Sequence, residues 1–376
     1  MQAEPDVRGA AVAVSVILPV HNGACYVSEA LESVLAQRQP ADWPGVNLEV
    51  LVVDDGSSDT SPGIIAEYAR RDARVRTIRQ QNAGVTVARN AGIAAARGEF
   101  LMFIDQDDRY TEVALQAHLA AFARDPTLGY TVAHQTCFLH ELSEPPAWFG
   151  LQQLDTPVPG YLPGTLCVRR ELFALLGVFD ERYPVSSDAD WFARARDAAV
   201  PMRLLDEVTL QRRIHSVNQS RHSGFIHSEL LQLLGESIRR KRESSASRVL
   251  EIGCAYGISS LYLCEVMAER DVGCYHVIDA FQSSEWRNVG LGHLQRARPE
   301  GGFEFHEELS ELCLPRLLAQ GEHYDFAFVD GWHTFDQVML EFYYINRMLA
   351  PGGIVVFDDV HLPALQKVLA YLSAYP

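Results

Sequence analysis

The chain has 376 residues, of which 48% are hydrophobic, and this predicts two ordinary globular domains with sizeable cores. Its formal net charge of −17 at pH 7 argues against nucleic acid or an anionic membrane surface as the main partner, because both would repel the protein. Seven cysteines without paired short spacing predict free thiols in a reducing cytoplasm and no zinc site.

Three apolar runs in the first part of the chain predict buried strands. The first, 12–19, stops at a Pro-Val-His-Asn-Gly turn that precedes a helical pattern over 26–37. The second, 48–53, leads into the acidic segment 54–59, and the third, within 99–108, ends in three aspartates. Strands that alternate with helices predict a mostly parallel, doubly wound α/β sheet.

Acidic residues that follow two buried strands predict a ligand site, because open α/β sheets bind ligands at the carboxyl ends of their strands. Asp105 and Asp107 offer hard oxygen ligands, which suit Mg²⁺ or Mn²⁺. The alternative for such a pair is a solvated loop or a helix cap, and 54–59 could be only an Asx-rich turn.

The strings VSVILPVHNGACYVSEALESVLAQ, EVLVVDDGSSD and NAGVTVARNAGIAAARGEFLMFIDQDD resemble family 2 glycosyltransferases, which have the GT-A fold and mostly invert the anomeric centre. The resemblance covers about 13–222. It implies a metal site made by Asp105, Asp107 and His215. It also implies a nucleotide-sugar site made by Pro19, His21, Asn22, Asp54, Asp55, Arg89 and Asp105.

Sugar transfer needs a base that takes the proton of the attacking acceptor, and a metal can act as a Lewis acid for departure of the nucleoside diphosphate. The family resemblance implies that this base is Asp188, with Asp190 as the alternative. Ser187 stands where the family often has glutamate. Asp188 could instead cap its helix, and His215 could be a hydrogen-bonded structural residue.

A second domain is predicted after a helix with apolar residues between 225 and 238 and a serine-rich linker at 244–247. The predicted organisation is an N-terminal extension at 1–12, a GT-A domain at 13–223, a helix and linker at 224–247, and a second α/β domain at 248–376. The new domain opens with a strand and a glycine turn, but it lacks the glycines of the dinucleotide-binding pattern, which counts against NAD.

This second segment resembles class I S-adenosylmethionine-dependent methyltransferases, and its later strands resemble family 24 and catechol-type O-methyltransferases. The resemblance implies cofactor binding by Glu251, Gly253, Gly257 and Asp279. It implies a Mg²⁺ site at Asp330, Asp358 and Asp359, with His333 near the position of a catalytic base. The alternative is that these acids only cap strand ends.

After Asp359 the sequence offers only a helical segment at 362–375, whereas the methyltransferase family continues through two more strands. We therefore expect a Rossmann-like sheet without its last strands, in a domain that is truncated, minimal or degenerate. An open sheet edge would be a site for a homodimer.

Together these patterns predict a cytoplasmic bifunctional enzyme. Its first domain would move a sugar from a nucleotide sugar, with a UDP-linked donor favoured, to a glycan, lipid, natural-product or peptide acceptor. Its second domain would methylate the glycan or the acceptor with S-adenosylmethionine, or would serve as a non-catalytic docking or dimerisation module. No apolar run approaches the ~18 residues of a transmembrane segment, and no basic signal sequence is present.

Overall fold

The computed structural model describes residues 13–38, 46–139, 154–215, 247–268, 273–298, 302–360 and 362–373. The chain divides into two compact units, Met1–Leu230 and Leu231–Pro376. The predicted extension at 1–12, the predicted helix at 225–238 and residues 244–246 of the predicted linker lie outside the described residues. The domain boundaries at 223 and 248 therefore stay predictions.

The first unit is built on one sheet with the strand order β3-β2-β1-β4-β8-β6-β9-β5, and β7 pairs with β6. Its strands are β1 (Ala13–Val20), β2 (Asn47–Asp55), β3 (Val75–Gln80), β4 (Phe100–Phe103), β5 (Arg109–Tyr110), β6 (Tyr130–Leu139), β7 (Val158–Pro159), β8 (Leu166–Arg169) and β9 (Met202–Ile214). The first four strands in the order are parallel, as predicted. The rest of the sheet is mixed, because β8 runs antiparallel to both β4 and β6.

Helices cover both faces of this sheet, which explains why its central strands are apolar at nearly every position. Val16 and Leu18 of β1 pack in one hydrophobic cluster, whereas Ile17 between them packs in a second cluster on the other face. The helices are α1 (Val27–Leu35), α2 (Ser61–Arg71), α3 (Val85–Ala95), α4 (Ala114–Arg124), α5 (Glu171–Leu176) and α6 (Ser187–Asp197).

The second unit is built on a five-stranded, wholly parallel sheet with the order β12-β11-β10-β13-β14. Its strands are β10 (Ser247–Ile252), β11 (Gly273–Ile278), β12 (Glu304–His306), β13 (Tyr324–Val329) and β14 (Leu349–Phe357). Its helices are α7 (Ile258–Ala268), α8 (Val289–Ala297), α9 (Ser310–Ala319), α10 (Phe335–Met348) and α11 (Pro363–Ser373). The strand order reverses between β10 and β13, and ligands of open α/β sheets bind at such a switch point.

All seven cysteines are free thiols, as predicted. Among the helices that the structure describes, none combines the length and the apolar character that are needed to cross a bilayer.

Candidate functional site

The carboxyl ends of β1, β2 and β4 carry most of the predicted nucleotide-sugar residues: Pro19, His21, Asn22, Asp54, Asp55 and Asp105. The turn after β1 is tied to the turn after β2. His21 Nδ1 lies 2.8 Å from the carbonyl oxygen of Asp55, and the Asn22 side chain accepts a hydrogen bond of 2.9 Å from the amide of Ser58. Asn22 has a φ of +50°, a left-handed conformation that asparagine tolerates better than most residues. His21 and Asn22 therefore hold the turn after β1 against the turn after β2.

Asp54 and Asp55 are both buried, but their surroundings differ. Asp55 accepts hydrogen bonds from the amides of Ala83 (2.9 Å) and Gly84 (2.8 Å), so it fixes the loop that enters α3. Asp54 Oδ2 lies 3.4 Å from the largely exposed Arg79. Of the two carboxylates, Asp54 has the partner that a ligand could displace more easily, and the roles of both in base or ribose binding stay predictions.

Gln106, between the two aspartates of the Asp-X-Asp segment, joins the third strand end to the first turn. The amide of His21 donates to Gln106 Oε1 (2.9 Å), and Gln106 Nε2 donates to the carbonyl of His21 (3.2 Å). A Cβ at Gly23 would lie 2.2 Å from Gln106 Oε1, so a larger residue here would displace the Gln106 side chain from the turn. Gln106 was not predicted, because an X position in such a motif carries no chemical signal of its own.

The two aspartates face different partners. Asp105 Oδ1 accepts a bond of 2.6 Å from Arg89, which is 7% exposed, and Arg89 Nε has no hydrogen-bond partner among the described residues. Asp107 Oδ2 lies 2.9 Å from His215 Nε2, and the His215 ring stacks on Tyr26 at 5.1 Å. The structure therefore brings Arg89 and His215, predicted from distant segments, to the two ends of one motif.

Asp108, the third acid of this segment, is buried and accepts a 2.8 Å bond from the amide of Arg213. Burial raises the pKa of Asp108 well above its ordinary value, and the neighbouring charges of Asp107 and Asp105 raise it further. The Arg213 guanidinium donates to the carbonyl of Asp107 (2.8 Å) and pairs with Glu29. A cation near this segment would relieve the repulsion that Asp105 and Asp107 exert on Asp108. Among the described residues, Asp105, Asp107 and His215 do not form a group whose ligand atoms all lie within 4.8 Å of one another, so metal binding here stays a prediction.

Asp188 lies in the first turn of α6, beside the other predicted residues. Burial raises the pKa of its carboxyl, the positive Arg89 lowers it, and the negative Asp105 raises it. The hydroxyl of Ser187 lies 3.1 Å from that of Thr86, and this buried contact holds the start of α6 against the start of α3. Ser187 thus has a positioning contact at the place where the family often has glutamate.

Asp190 is 2% exposed and forms a two-point ion pair with Arg194, with both distances 2.7 Å. Arg194 also donates to the carbonyls of Gly177 and Val178. The N-cap of α6 is Ser186, so Asp188 is not the helix cap. The ion pair with Arg194 makes the Asp190 carboxylate less available to accept a proton, and this favours Asp188 as the candidate base.

In the second unit, the glycine turn after β10 is shaped by close backbone contacts. Gly253 and Gly257 have φ values of +91° and +76°. A Cβ at Gly253 would lie 2.0 Å from the carbonyl oxygen of Asp330, and one at Gly257 would lie 2.9 Å from the Cα of Gly290. Both glycines are therefore required by the fold itself, whether or not a cofactor binds.

Glu251 is fully buried, and its carboxylate is occupied by protein donors. It accepts hydrogen bonds of 2.6 Å from Ser259 and from Ser260 and another from the Tyr275 hydroxyl. Burial raises the pKa of Glu251. Its direct role is to join β10 to α7 and β11.

Asp279 is 6% exposed and also receives four protein donors. The amides of Cys254 and Ala255 donate to Oδ2 at 3.0 and 2.8 Å, Gln282 Nε2 donates to the same oxygen at 3.0 Å, and the amide of Phe281 donates to Oδ1 at 2.9 Å. Three of these donors share Oδ2, whereas Oδ1 accepts only one, so Oδ1 keeps a position at which it could accept a ribose hydroxyl. Ribose binding by Asp279 stays a prediction.

Of the three predicted metal ligands at the ends of β13 and β14, Asp330 and Asp359 lie together, and His333 rather than Asp358 is the third member of the group. Asp330, His333 and Asp359 offer ligand atoms within 4.8 Å of one another, and His333 Nε2 lies 3.2 Å from Asp359 Oδ2. Burial raises the pKa of Asp330 to about 8, and the charges of Asp358 and Asp359 contribute. His333 thus completes the ligand group, and Asp358 acts on it through charge.

An aromatic pair at the same sheet edge was not predicted. The rings of Phe281 and Trp332 stack at 5.9 Å with an angle of 11° between their planes, and Trp332 is 62% exposed. Phe281 lies two residues after Asp279, and Trp332 lies two residues after Asp330. This spacing from predicted site acids could have identified both aromatic residues from the sequence. The pair offers an apolar face beside the acidic group.

Residues 15–174 match the family described as glycosyl transferase family 2, and residues 250–360 match a methyltransferase domain family, Methyltransf_24. EpsH of Bacillus subtilis (strain 168) is 47% identical over 96 residues, which are 26% of this chain and 26% of EpsH. EpsJ of the same organism, named an uncharacterized glycosyltransferase, is 40% identical over 103 residues, which are 27% of this chain and 28% of EpsJ. The match thus spans about a quarter of the length of these relatives.

A solved structure of S. aureus TarS (1–349) in complex with UDP-GlcNAc aligns with a TM-score of 0.49 at 17% identity, over 89% of this chain and 90% of that chain. The two family matches confirm both families that were recognised in the sequence. Residues 15–174, on a mixed α/β sheet, match family 2 glycosyltransferases, and residues 250–360, on a parallel Rossmann-like sheet, match a methyltransferase domain family.

Proposed function

We propose that the first domain is a metal-dependent, inverting glycosyltransferase. Its donor is a nucleotide sugar, with UDP favoured, and its acceptor is a hydroxyl, thiol or amide of a glycan, lipid, natural product or peptide. The observation that carries the proposal is that the Arg89 guanidinium donates to Asp105 and that the charges of both act on Asp188, a buried carboxyl of raised pKa. The family 2 match supports it.

The donor set fits Mg²⁺ or Mn²⁺, which proteins often hold with one or two carboxylates while substrate phosphates complete the coordination. Asp105, Asp107 and His215 would hold the ion, which when bound neutralises charge on the leaving nucleoside diphosphate. The buried Arg89 orients Asp105, and its unpaired Nε is a further donor for an anionic group. Hydrogen bonds of Gln106 and Asn22 hold together the turns that carry these groups.

In this proposal Asp188 takes the acceptor proton. The acceptor atom forms a bond to the anomeric carbon, the bond from that carbon to the diphosphate oxygen breaks, and its electron pair leaves with the nucleoside diphosphate. One displacement of this kind inverts the anomeric centre. A carboxyl whose pKa is raised toward the working pH is a better base than an exposed aspartate.

The test is nucleoside-diphosphate release from a panel of nucleotide sugars and acceptors, with inversion read from the product by NMR. Asp188→Asn keeps the shape of the side chain and should lower kcat by about 10²–10⁴-fold with donor binding retained. The matched control is Asp206→Asn, an exposed carboxylate on β9, which should transfer sugar at the wild-type rate. Sugar transfer by Asp188→Asn at the wild-type rate would refute this choice of base.

We further propose that the second domain binds S-adenosylmethionine and methylates the glycan or the acceptor. Asp330 and Asp359 would hold a divalent cation together with Asp358, and His333, whose Nε2 lies 3.2 Å from Asp359, would take the proton of the acceptor hydroxyl. The match to a methyltransferase family and the glycine turn at the switch point support cofactor binding.

The alternative proposal is that this domain is a docking or dimerisation module. It is favoured by the carboxylates of Glu251 and Asp279, most of whose acceptor positions are taken by protein donors. Calorimetric titration of the whole chain with S-adenosylmethionine separates the two proposals. Binding that Asp279→Asn weakens at least tenfold supports a methyltransferase, and no binding by a folded chain that still binds a nucleotide supports a docking module.

A further inference from the structure

A further group of metal-ligating side chains in the second unit shares no residue with the sites already described, although the amide of Asp279 donates to the carbonyl of His306 (3.1 Å). His276 on β11 pairs directly with Glu304 on β12, and His306 lies two residues farther along β12. The ligand atoms of these three residues lie within 4.8 Å of one another. His276 is 3% exposed, whereas the Glu304 side chain is 64% exposed, so an ion could enter from solvent on the Glu304 side.

The separations of the three atoms lie within about 0.3 Å of those in one face of a tetrahedron around zinc. His276 Nδ1 lies 3.0 Å from His306 Nε2, and Glu304 Oε2 lies 3.6 and 3.7 Å from these two nitrogens. Zinc bonds of about 2.0–2.2 Å in tetrahedral geometry place ligand atoms about 3.3–3.6 Å apart. A hydrogen bond between the two rings would explain the 3.0 Å distance, but it would not explain a carboxylate that faces both nitrogens.

The positive side chains near the cluster have acidic partners of their own. The nearby Arg316 and Arg248, which oppose a cation, are each paired with a glutamate.

A buried polar atom without a partner lies beside this cluster. The Tyr324 ring contacts the His276 ring at 5.6 Å, and Tyr324 is 0% exposed. Its hydroxyl has no hydrogen-bond partner among the described residues. A buried hydroxyl of this kind is costly unless a group that the structure does not contain satisfies it, and a water molecule in this region is one such group.

We propose that His276, Glu304 and His306 bind one zinc ion, with a water molecule as the fourth ligand. The ion would fasten the three-residue edge strand β12 to β11. The cysteine spacing in the sequence predicted no zinc site, because this ligand set contains no cysteine and is brought together by strand pairing.

The experiment is calorimetric titration of ZnCl₂ into the full chain after chelator treatment and dialysis, followed by thermal melting with and without zinc. His306→Gln and Glu304→Gln each remove one ligand, and Glu304→Gln changes an exposed side chain that the fold does not need. His323→Gln, an exposed histidine of the same domain, is the matched control. His333→Gln removes one member of the group formed by Asp330, His333 and Asp359. A loss of zinc binding in this variant would place the ion at that group instead.

We expect one zinc ion per chain at the proposed site, with affinity at least tenfold lower in Glu304→Gln and His306→Gln and unchanged in His323→Gln and His333→Gln. The zinc-induced rise in melting temperature should be lost in the same two variants. The proposal is overturned if the wild-type chain binds no zinc, if both ligand variants bind as tightly as wild type, or if only His333→Gln loses binding.

Discussion

The close packing of α3 on β1 predicts opposite effects of the same substitution at two helical glycines. A Cβ at Gly92 in α3 would lie 2.4 Å from Ile17 Cγ2 and 3.1 Å from its Cγ1. A Cβ at Gly63 in α2 would meet nothing within 4 Å. Ile17 is fully buried and β-branched, so its side chain cannot swing away. Gly92→Ala should therefore destabilise the first domain, and Gly63→Ala should stabilise it.

The magnitudes follow from two opposing effects. Replacing glycine by alanine within a helix contributes about 0.5–1 kcal/mol of stability, and this gain is similar at both positions. Overpacking a filled core costs about 1–3 kcal/mol, and only Gly92→Ala incurs this cost. The difference between the two variants thus isolates the overpacking. At about 2–4 °C per kcal/mol for a domain of this size, the two melting temperatures should differ by about 2–12 °C.

Differential scanning calorimetry of the full chain measures this difference. Gly253→Ala changes only the second domain. The calorimetric transition that this variant leaves unchanged is therefore that of the first domain. Arg89 lies one helical turn before Gly92, so Gly92→Ala should also weaken nucleotide binding, whereas Gly63→Ala should not. A rise in melting temperature for Gly92→Ala as large as that for Gly63→Ala would refute the reasoning, because it would show that α3 moves away from β1 freely.

Two further predictions concern the second domain. Gly253→Ala should lower the melting temperature of the second domain more than Gly321→Ala does. Both glycines have a positive φ, but only a Cβ at Gly253 would meet a carbonyl oxygen, at 2.0 Å. Equal losses of melting temperature in calorimetry would contradict this steric argument. Burial raises the pKa of Glu341 to about 7, so the native domain keeps a proton that the unfolded chain has released. This contribution to stability is complete below about pH 4.5 and is lost as pH rises through about 7. Melting scans from pH 5 to 8 should show a decline that Glu341→Gln reduces, and an identical decline in the variant would exclude Glu341 as its cause.

The edge of the sheet that carries the site could be predicted from sequence. Apolar runs that end in acids identify the carboxyl ends of parallel strands, and such ends share one edge. The structure accordingly brings Asp54, Asp105 and Asp107 to one region, and it brings Asp330 and Asp359 together in the second domain.

The partners of these acids could not be predicted, because they depend on loop conformation. Asp279 and Glu251 were predicted to face a cofactor, and the structure shows that protein donors surround both. Asp190 is an instructive exception, since its partner Arg194 lies four residues later on the same helix. That spacing is a known signal for an ion pair, and it would have favoured Asp188 from the sequence alone.

Contacts between strands far apart in sequence were also beyond prediction. His276 and Glu304 are paired only because of the register of β11 on β12, which no local pattern encodes. The antiparallel position of β8 was missed for the same reason, since a four-residue apolar strand shows no direction.

The most direct test of the central claim is calorimetric titration of UDP, GDP and dTDP into the full chain, with and without Mn²⁺. We expect one nucleoside diphosphate, with UDP favoured, to bind much more tightly with the metal. Asp107→Asn should lose at least tenfold of that metal-dependent affinity, and Asp206→Asn should lose none. Nucleotide binding that is independent of metal, or equal in wild type and Asp107→Asn, would contradict a cation site at the Asp-X-Asp segment.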